Sequence, residues 1–244
     1  MWAILPGLTM PPEDFADLAA LLPGEVRVLD AYQVPLTAPT AQVRDWFQAQ
    51  GGWSEVALIG HSAGGMAALE WWLTRPEEVS GVVLLDPTDP WEKVRKPLPG
   101  TLGHRAVRRL LQIAGSWTWL ARRLGRLGRR TFWRLFTHDP DHLDRATVDR
   151  VWGNPAGLIA VWDQYFDRFR QEARVRQLLA AREQDGDRPA PPVLAVHSSQ
   201  AEPYHVPLAD RLGATVADLP GDHLFPTRQP AATAALIERW TTGA

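Results

Sequence analysis

VALIGHSAGG, residues 56–65, is the stretch of sequence that decides the fold. Its first four residues form a continuous apolar run, which is typical of a strand buried on both faces of a sheet. The pattern becomes helical from Ala63, so Gly60-x-Ser62-x-Gly64 lies where a strand turns directly into a helix. Such a turn strains the backbone of its middle residue, and small flanking residues avoid collisions there. We therefore predict that Ser62 stands at the carboxyl edge of a sheet, beside a helix N-terminus that favours negative charge.

Strands and helices alternate along most of the remaining chain. The predicted strands are Trp2–Leu5, Val26–Leu29, Val56–Ile59, Val82–Leu85, Val193–Val196 and Thr215–Leu219, and the predicted helices are Pro11–Leu22, Ala41–Gln50, Ala63–Arg75, Val206–Leu212 and Pro230–Trp240. This alternation predicts βαβ units and a mostly parallel sheet flanked by helices. Residues 87–189 break the pattern, since they contain helical stretches and no clear strand. We predict one α/β core, residues 1–86 and 190–244, with residues 87–189 inserted as a helical cap.

Composition excludes several classes of protein. The chain has 244 residues, of which 45% are hydrophobic and 22% are charged, as is usual for a soluble globular protein. It has no cysteine, so disulfides and thiolate zinc sites are excluded. The N-terminus lacks the basic start and the apolar run of a signal peptide, and no stretch is apolar enough to cross a membrane. We expect a cytoplasmic protein without stable membrane insertion.

The inserted segment is basic, although the whole chain carries a net charge of −2. Residues 87–190 contain 20 Lys and Arg against 12 Asp and Glu, whereas the remainder contains 6 against 16. Residues 104–134 contain nine arginines and no acidic residue. One helical face there carries Arg122, Arg123, Arg126, Arg129 and Arg130, and the opposite face carries Leu120, Leu124, Leu127 and Leu135.

Three interpretations of this basic helix compete. The one we favour is a solvated basic face whose leucines pack on the core. The second is a lid that attracts anionic substrates, and the third is a surface that contacts anionic lipid. Gly125 and Gly128 weaken the helix and would allow a lid to move.

The sequence gives little support to metal binding or nucleic-acid binding. His138 and His142 have a spacing that can bind a metal on a helix, but Asp139-Pro140 between them fits a helix start better. The slightly acidic chain contains no known nucleic-acid module. We therefore expect no metal, no cofactor and no nucleic-acid partner. The oligomeric state stays open, a homodimer included.

A serine hydroxyl needs a base to act as a nucleophile at neutral pH, and His223 is the candidate. It lies in the loop between the last predicted strand and the last predicted helix, which emerges at the same edge of the sheet as Ser62. His61 is adjacent to Ser62, and the turn directs it elsewhere. We predict Ser62 as nucleophile and His223 as general base.

With these residues the chain resembles the α/β-hydrolase superfamily over nearly its whole length. The resemblance rests on Pro6-Gly7-Leu8, the serine motif through Gly65, Asp86-Pro87 and Gly221-Asp222-His223. It implies an oxyanion hole formed by the backbone N–H of Ala63 and that of Leu8 or Thr9. The family usually has His-Gly after the first strand, where this sequence has Pro6-Gly7.

The resemblance also implies a carboxylate that orients His223. Related enzymes usually place an aspartate after the strand that corresponds to Val193–Val196, and no aspartate stands in that segment here. Glu202 is the choice, because a carboxylate of either length can orient an imidazole. Asp86 and Asp89 are alternatives, since they follow the strand Val82–Leu85 at the same edge.

The expected reaction is hydrolysis of an ester or thioester of a small or acyl substrate, which could be anionic, through an acyl-enzyme. The same fold also serves carbon–carbon bond hydrolysis, acyl transfer and cofactor-free peroxidation. A non-catalytic ligand-binding homologue is the alternative of a different class, because the usual aspartate is missing.

Overall fold

The computed structural model describes residues 1–91, 101–115, 117–185, 190–199 and 206–243. The chain forms two compact units. The larger comprises Met1–Lys93 and Arg170–Ala244, and the smaller comprises Val94–Phe169. The cap boundaries predicted above, and the role of the insertion as a cap, stay predictions.

The larger unit is built on a six-stranded, wholly parallel sheet. Its strands are β1 (Trp2–Leu5), β2 (Val26–Val28), β3 (Val56–His61), β4 (Val79–Leu85), β5 (Val193–Ser198) and β6 (Thr215–Leu219). They lie in the order β2-β1-β3-β4-β5-β6, and each neighbouring pair is parallel. The predicted α/β fold with a parallel sheet flanked by helices is confirmed, and each predicted strand is found within a few residues of its expected bounds.

Helices follow the strands of this unit. They are α1 (Ala16–Leu21), α2 (Thr40–Gln48), α3 (Ala63–Thr74), α8 (Val206–Leu212), α9 (Phe225–Arg228) and α10 (Pro230–Thr242), with 3-10 turns at Pro12–Phe15 and Pro76–Glu78. β1 and β5 are buried along their whole length, and α3 is buried from Ala63 to Trp72. The apolar runs of the sequence therefore mark the centre of the sheet, and the helix after Ser62 lies inside the core.

The smaller unit is helical throughout its described residues. It contains α4 (Leu102–Gly115), α5 (Thr118–Phe136), α6 (Arg145–Val151) and the first part of α7 (Pro155–Asp185), which continues into the larger unit. Nowhere in the part of the chain that the structure describes is a helix both long and apolar enough to cross a membrane.

The helix start predicted at Asp139-Pro140 is wrong. Residues 137–144 are not helical, and α6 begins at Arg145 with Asp144 as its cap, whose side chain accepts a hydrogen bond of 2.7 Å from the Thr147 N–H. The loop between α5 and α6 is fixed by Asp141, which forms a bidentate ion pair with Arg129 at 2.7 and 2.8 Å. Asp141 Oδ1 also accepts a hydrogen bond of 3.2 Å from the Leu143 N–H, which holds residues 141–143 in a local turn instead of a helix start.

The predicted orientation of α5 is also wrong. Its buried face consists of Ala121, Gly125, Arg129 and Trp133. The leucine face is exposed, by 60% at Leu127 and 73% at Leu135. The small residues face inward because α5 crosses the end of α6 closely: a Cβ at position 125 would lie 2.1 Å from the carbonyl oxygen of Trp152.

Arg129 can lie on that buried face because its charge is fully compensated. Its guanidinium pairs with Asp141 and lies 4.5 Å from the centroid of the Trp133 ring. Burial raises the pKa of the Asp141 carboxyl, but the hydrogen bonds and the charge of Arg129 outweigh that effect and hold the pKa below its usual value. Sequence spacing separates the leucines of α5 from most of its arginines, but neither set forms the buried face.

Candidate active site

Ser62 occupies a strained turn between β3 and α3. Its backbone angles are φ 51° and ψ −120°, a combination that a non-glycine residue rarely adopts. The flanking glycines are required by close approach. A Cβ at Gly60 would lie 2.7 Å from the Gly64 carbonyl oxygen, and one at Gly64 would lie 2.0 Å from that of Leu5. The motif thus lets the start of α3 pack directly against the end of β1.

The position of Ser62 in the sheet is that of a ligand site. β1 and β3 are neighbours, with β2 on the outer side of β1, so the order of the strands reverses between them. Open parallel sheets bind ligands at such a point, beyond the carboxyl ends of the strands. The Ser62 N–H donates to the Leu85 carbonyl at 3.1 Å, and the Thr88 N–H donates to the Ser62 carbonyl at 3.0 Å. The segments after β3 and β4 therefore meet at Ser62.

His223 reaches the same edge from the loop between β6 and α9. Its Nδ1 lies 2.7 Å from Oδ2 of Asp86, whose side chain is almost completely buried. An ionised carboxylate only accepts hydrogen bonds, so Nδ1 carries the proton in this pair and Nε2 keeps the lone pair that a general base needs. The Oγ of Ser198 also donates to Asp86 Oδ2, at 3.1 Å.

The three candidate carboxylates differ in their placement. Asp86 contacts His223. Asp89 is buried and accepts a hydrogen bond of 2.7 Å from the Trp91 N–H, which is the geometry of a local turn. Glu202 lies outside the described residues, so its proposed role stays a prediction. Asp222 is engaged with the Leu224 N–H and Arg228, as expected for a neighbour that cannot reach the ring of His223.

His61 contributes in a way that sequence analysis did not anticipate. Its ring is buried, and its Nε2 lies 2.9 Å from the carbonyl oxygen of His223. Burial, followed by the neighbouring charge of His223, lowers the pKa of His61 to about 3. His61 is therefore neutral near pH 7, and its Nε2–H donates to the loop that carries His223. The sequence places His61 next to Ser62 but gives no signal of this contact with a residue 162 positions away.

His61 also links the two segments that carry the predicted catalytic residues. It precedes Ser62 in the chain, and the centroids of the His61 and His223 rings are 4.9 Å apart. The Ser62 hydroxyl has no hydrogen-bond partner within the described ranges of the chain. In unliganded enzymes the hydrogen bond between nucleophile and base is often long or poorly aligned, and it tightens when substrate binds.

The predicted oxyanion donors lie on the two segments that meet at this point. Ala63 is the first residue of α3, and Leu8 follows β1 in a loop that packs against that helix start. Thr9 has the left-handed φ of 73°, which turns the loop sharply, and its carbonyl accepts a hydrogen bond of 2.7 Å from the Tyr32 hydroxyl. The loop that would supply the second N–H is therefore held in a defined conformation.

The comparisons with known proteins identify the family and the fold. A family described as the alpha/beta hydrolase family matches residues 4–236. The chain belongs to the α/β hydrolase family. No curated protein sequence matches it significantly. Among the solved structures that match it, Cfl2 of Burkholderia cenocepacia is 22% identical, with a TM-score of 0.67 over 98% of this chain and 87% of Cfl2.

Another similar structure is the epoxide hydrolase CorEH, which is 15% identical and has a TM-score of 0.68 over 99% of this chain and 91% of its own. At such identities, the likeness shows the hydrolase fold alone. The reaction has to be inferred from the side chains at the site of this chain.

Proposed function

We propose that this α/β hydrolase is a serine hydrolase that cleaves an ester or thioester through an acyl-enzyme. The observation that carries the proposal is the pairing of His223 with buried Asp86 at the edge of the sheet where the strained turn presents Ser62. These are the three roles that a serine nucleophile needs: a hydroxyl, a base, and a carboxylate that fixes the tautomer of the base.

In the proposed reaction, Nε2 of His223 takes the proton of the Ser62 hydroxyl as Oγ attacks the substrate carbonyl carbon. The N–H groups of Ala63 and of Leu8 or Thr9 stabilise the oxyanion, and one such donor contributes about 3 kcal/mol. The bond to the leaving alcohol or thiol then breaks, and His223 returns its proton to that group. A water molecule deprotonated by His223 attacks the acyl-enzyme, releases the acid and restores Ser62. The imidazole of His223 therefore takes part in every proton transfer of the cycle.

The pairing of Asp86 with His223 weakens the case for a non-catalytic ligand-binding homologue. It rests on the missing aspartate near Glu202, whereas Asp86 supplies a carboxylate from the neighbouring strand β4. The name of CorEH suggests epoxide hydrolysis as another reaction, but a likeness at 15% identity carries the fold alone. The substrate we propose is a small-molecule ester or thioester, and the basic composition of residues 87–190 is compatible with an anionic one.

The proposal is tested by labelling the folded protein with a fluorophosphonate probe, which reacts with activated serines. We expect labelling of the wild type and of a Ser80→Ala control, since Ser80 is exposed on β4, and none of Ser62→Ala. Turnover of p-nitrophenyl esters of graded length and of acyl-CoA thioesters then identifies the acyl group. An unlabelled wild type, or a labelled Ser62→Ala variant, would overturn the proposal.

A further inference from the structure

The smaller unit displays an unusual number of exposed apolar side chains. Eleven large hydrophobic residues are exposed in the described part of the chain, and nine of them fall between residues 102 and 136. They are Leu102, Leu110, Ile113, Trp117, Trp119, Leu124, Leu127, Leu135 and Phe136. Single exposed apolar residues are ordinary. Their concentration on the helical hairpin formed by α4 and α5 indicates a binding surface.

The same hairpin carries uncompensated positive charge. Three of its nine arginines form ion pairs: Arg108 with Asp163, Arg126 with Asp149 and Arg129 with Asp141. The other six are exposed, and none has an acidic partner within the ranges that the structure describes. They are Arg105, Arg109, Arg122, Arg123, Arg130 and Arg134. The partner of this surface should therefore be both anionic and able to accept apolar side chains.

On α5 the two kinds of side chain form adjacent stripes. The arginines recur at intervals of three and four residues, at Arg123, Arg126, Arg130 and Arg134. The leucines directly follow three of these arginines in the chain, at Leu124, Leu127 and Leu135. Consecutive residues of a helix point about 100° apart, so the leucine stripe runs alongside the arginine stripe on the face away from buried Gly125. With this arrangement the leucines can enter an apolar layer while the arginines extend to its charged margin.

Two further features fit a charged apolar interface. Trp117 and Trp119 lie at the end of the hairpin, each about three-fifths exposed, and tryptophan prefers the boundary between hydrocarbon and headgroups. A hollow of about 540 Å³ beside α5, next to Trp133, has more basic than acidic residues in its lining, which includes Arg126, Arg129, Arg130, Arg134 and Arg145 against Asp139 and Asp141. Its guanidinium groups suit the phosphate groups of lipids.

We propose that α4 and α5 bind the surface of an anionic lipid bilayer. Leucine and tryptophan side chains insert at the headgroup level, and the arginines contact lipid phosphates. A soluble anion would leave the apolar stripe without a partner. A second copy of the chain, paired through the same surface, would bring two arginine stripes together at an electrostatic cost. This inference is independent of the proposed function, since it requires neither Ser62 nor His223.

Co-sedimentation with phosphatidylcholine vesicles, with and without phosphatidylglycerol, tests the proposal on the full chain. We expect binding that requires phosphatidylglycerol, weakens as salt is added and is unchanged in Ser62→Ala. Replacing Arg123 and Arg130 by Gln should weaken binding about 25-fold, since each basic residue near the surface contributes about a fivefold change. The matched pair Arg75→Gln and Arg239→Gln, exposed in the larger unit, should not weaken it.

The apolar contribution is tested in the same way. Leu127→Ser with Leu135→Ser should reduce binding at least about tenfold, whereas Leu21→Ser with Val216→Ser, exposed in the larger unit, should not. Thermal unfolding of each variant checks that it is folded. Failure to bind anionic vesicles would overturn the proposal, as would equal binding to neutral ones or competition by inorganic phosphate at matched ionic strength. Self-association in sedimentation velocity that the Leu127/Leu135 variant abolishes would assign the surface to a second copy instead.

Discussion

Asp86 Oδ2 lies 2.7 Å from Nδ1 of His223, although 137 residues separate the two in the chain. Asp86 itself has a left-handed φ of 45° at the end of β4, where an aspartate is among the side chains best tolerated. Ser198 of β5 also contacts it, since the backbone N–H and the hydroxyl of Ser198 donate to its two oxygens at 3.4 and 3.1 Å. The carboxylate is therefore fixed by two adjacent strands before it meets the imidazole.

The first prediction concerns the identity of this acid. Asp86→Asn should lower kcat/KM for the ester identified above by about 10³-fold or more, because an amide no longer fixes the tautomer of His223 or stabilises its cation. Glu202→Gln should change it less than about threefold. Steady-state kinetics on both variants makes the comparison, and Asp89→Asn serves as a control that is equally buried but contacts Trp91.

Because Asp86 is buried, its replacement could also disturb the fold, and two readouts separate these effects. The Asp86→Asn variant should retain a cooperative thermal transition and still bind substrate with a KM close to that of the wild type. A large loss of activity in Glu202→Gln, together with an active Asp86→Asn, would contradict the assignment and restore Glu202 as the acid.

The turn at Ser62 could be predicted from the sequence because its causes are local. An apolar run, two close-packed glycines and a following helix all lie within residues 56–75. The sequence places Asp86 and His223 at the same edge of the sheet but leaves Asp86 as one of three candidate acids, because their contact depends on the order of β4, β5 and β6, which no local pattern encodes. The contact of His61 with the His223 loop is hidden from the sequence for the same reason.

The faces of α5 show a different limit. Helical periodicity separates most of the arginines from the leucines, and polarity alone predicts that the leucines are buried. The structure buries Gly125 and Arg129 instead, since the crossing with the end of α6 requires a residue without a side chain and Asp141 neutralises the guanidinium. Both conditions arise from partners outside the helix, so its own sequence could not show them.

The second prediction is an acid sensitivity caused by His61. Its pKa is about 3 in the folded protein and about 6.5 in the unfolded chain, so the unfolded chain binds the proton first as the pH falls. The contribution of His61 to stability is therefore complete above about pH 6.5 and is lost progressively between about pH 6.5 and 3, with a slope approaching about 1.4 kcal/mol per pH unit. Urea unfolding at a series of pH values measures this slope.

His61→Gln keeps an N–H donor for the His223 carbonyl but cannot titrate. We expect this variant to be less stable than the wild type at pH 7 but to lose less free energy of unfolding between pH 6 and 4. His138→Gln replaces an exposed histidine and should follow the wild-type curve. Parallel curves for the His61→Gln variant and the wild type would show that His61 is protonated in the folded state over this range.

The third prediction separates two glycines of α5 that the sequence cannot distinguish. Helix propensity alone favours alanine over glycine by about 1 kcal/mol at either position. At Gly125, however, a Cβ would lie 2.1 Å from the Trp152 carbonyl oxygen, whereas at Gly128 it would lie 3.4 Å from the Trp152 ring. Gly125→Ala should therefore destabilise the protein by about 2 kcal/mol or more, because backbone has to move, and Gly128→Ala should be neutral or slightly stabilising.

Chemical denaturation of the two variants side by side makes the test. Equal stabilisation by both would mean that α5 and the end of α6 are not in close contact, and that α5 does not bury the face that contains Gly125.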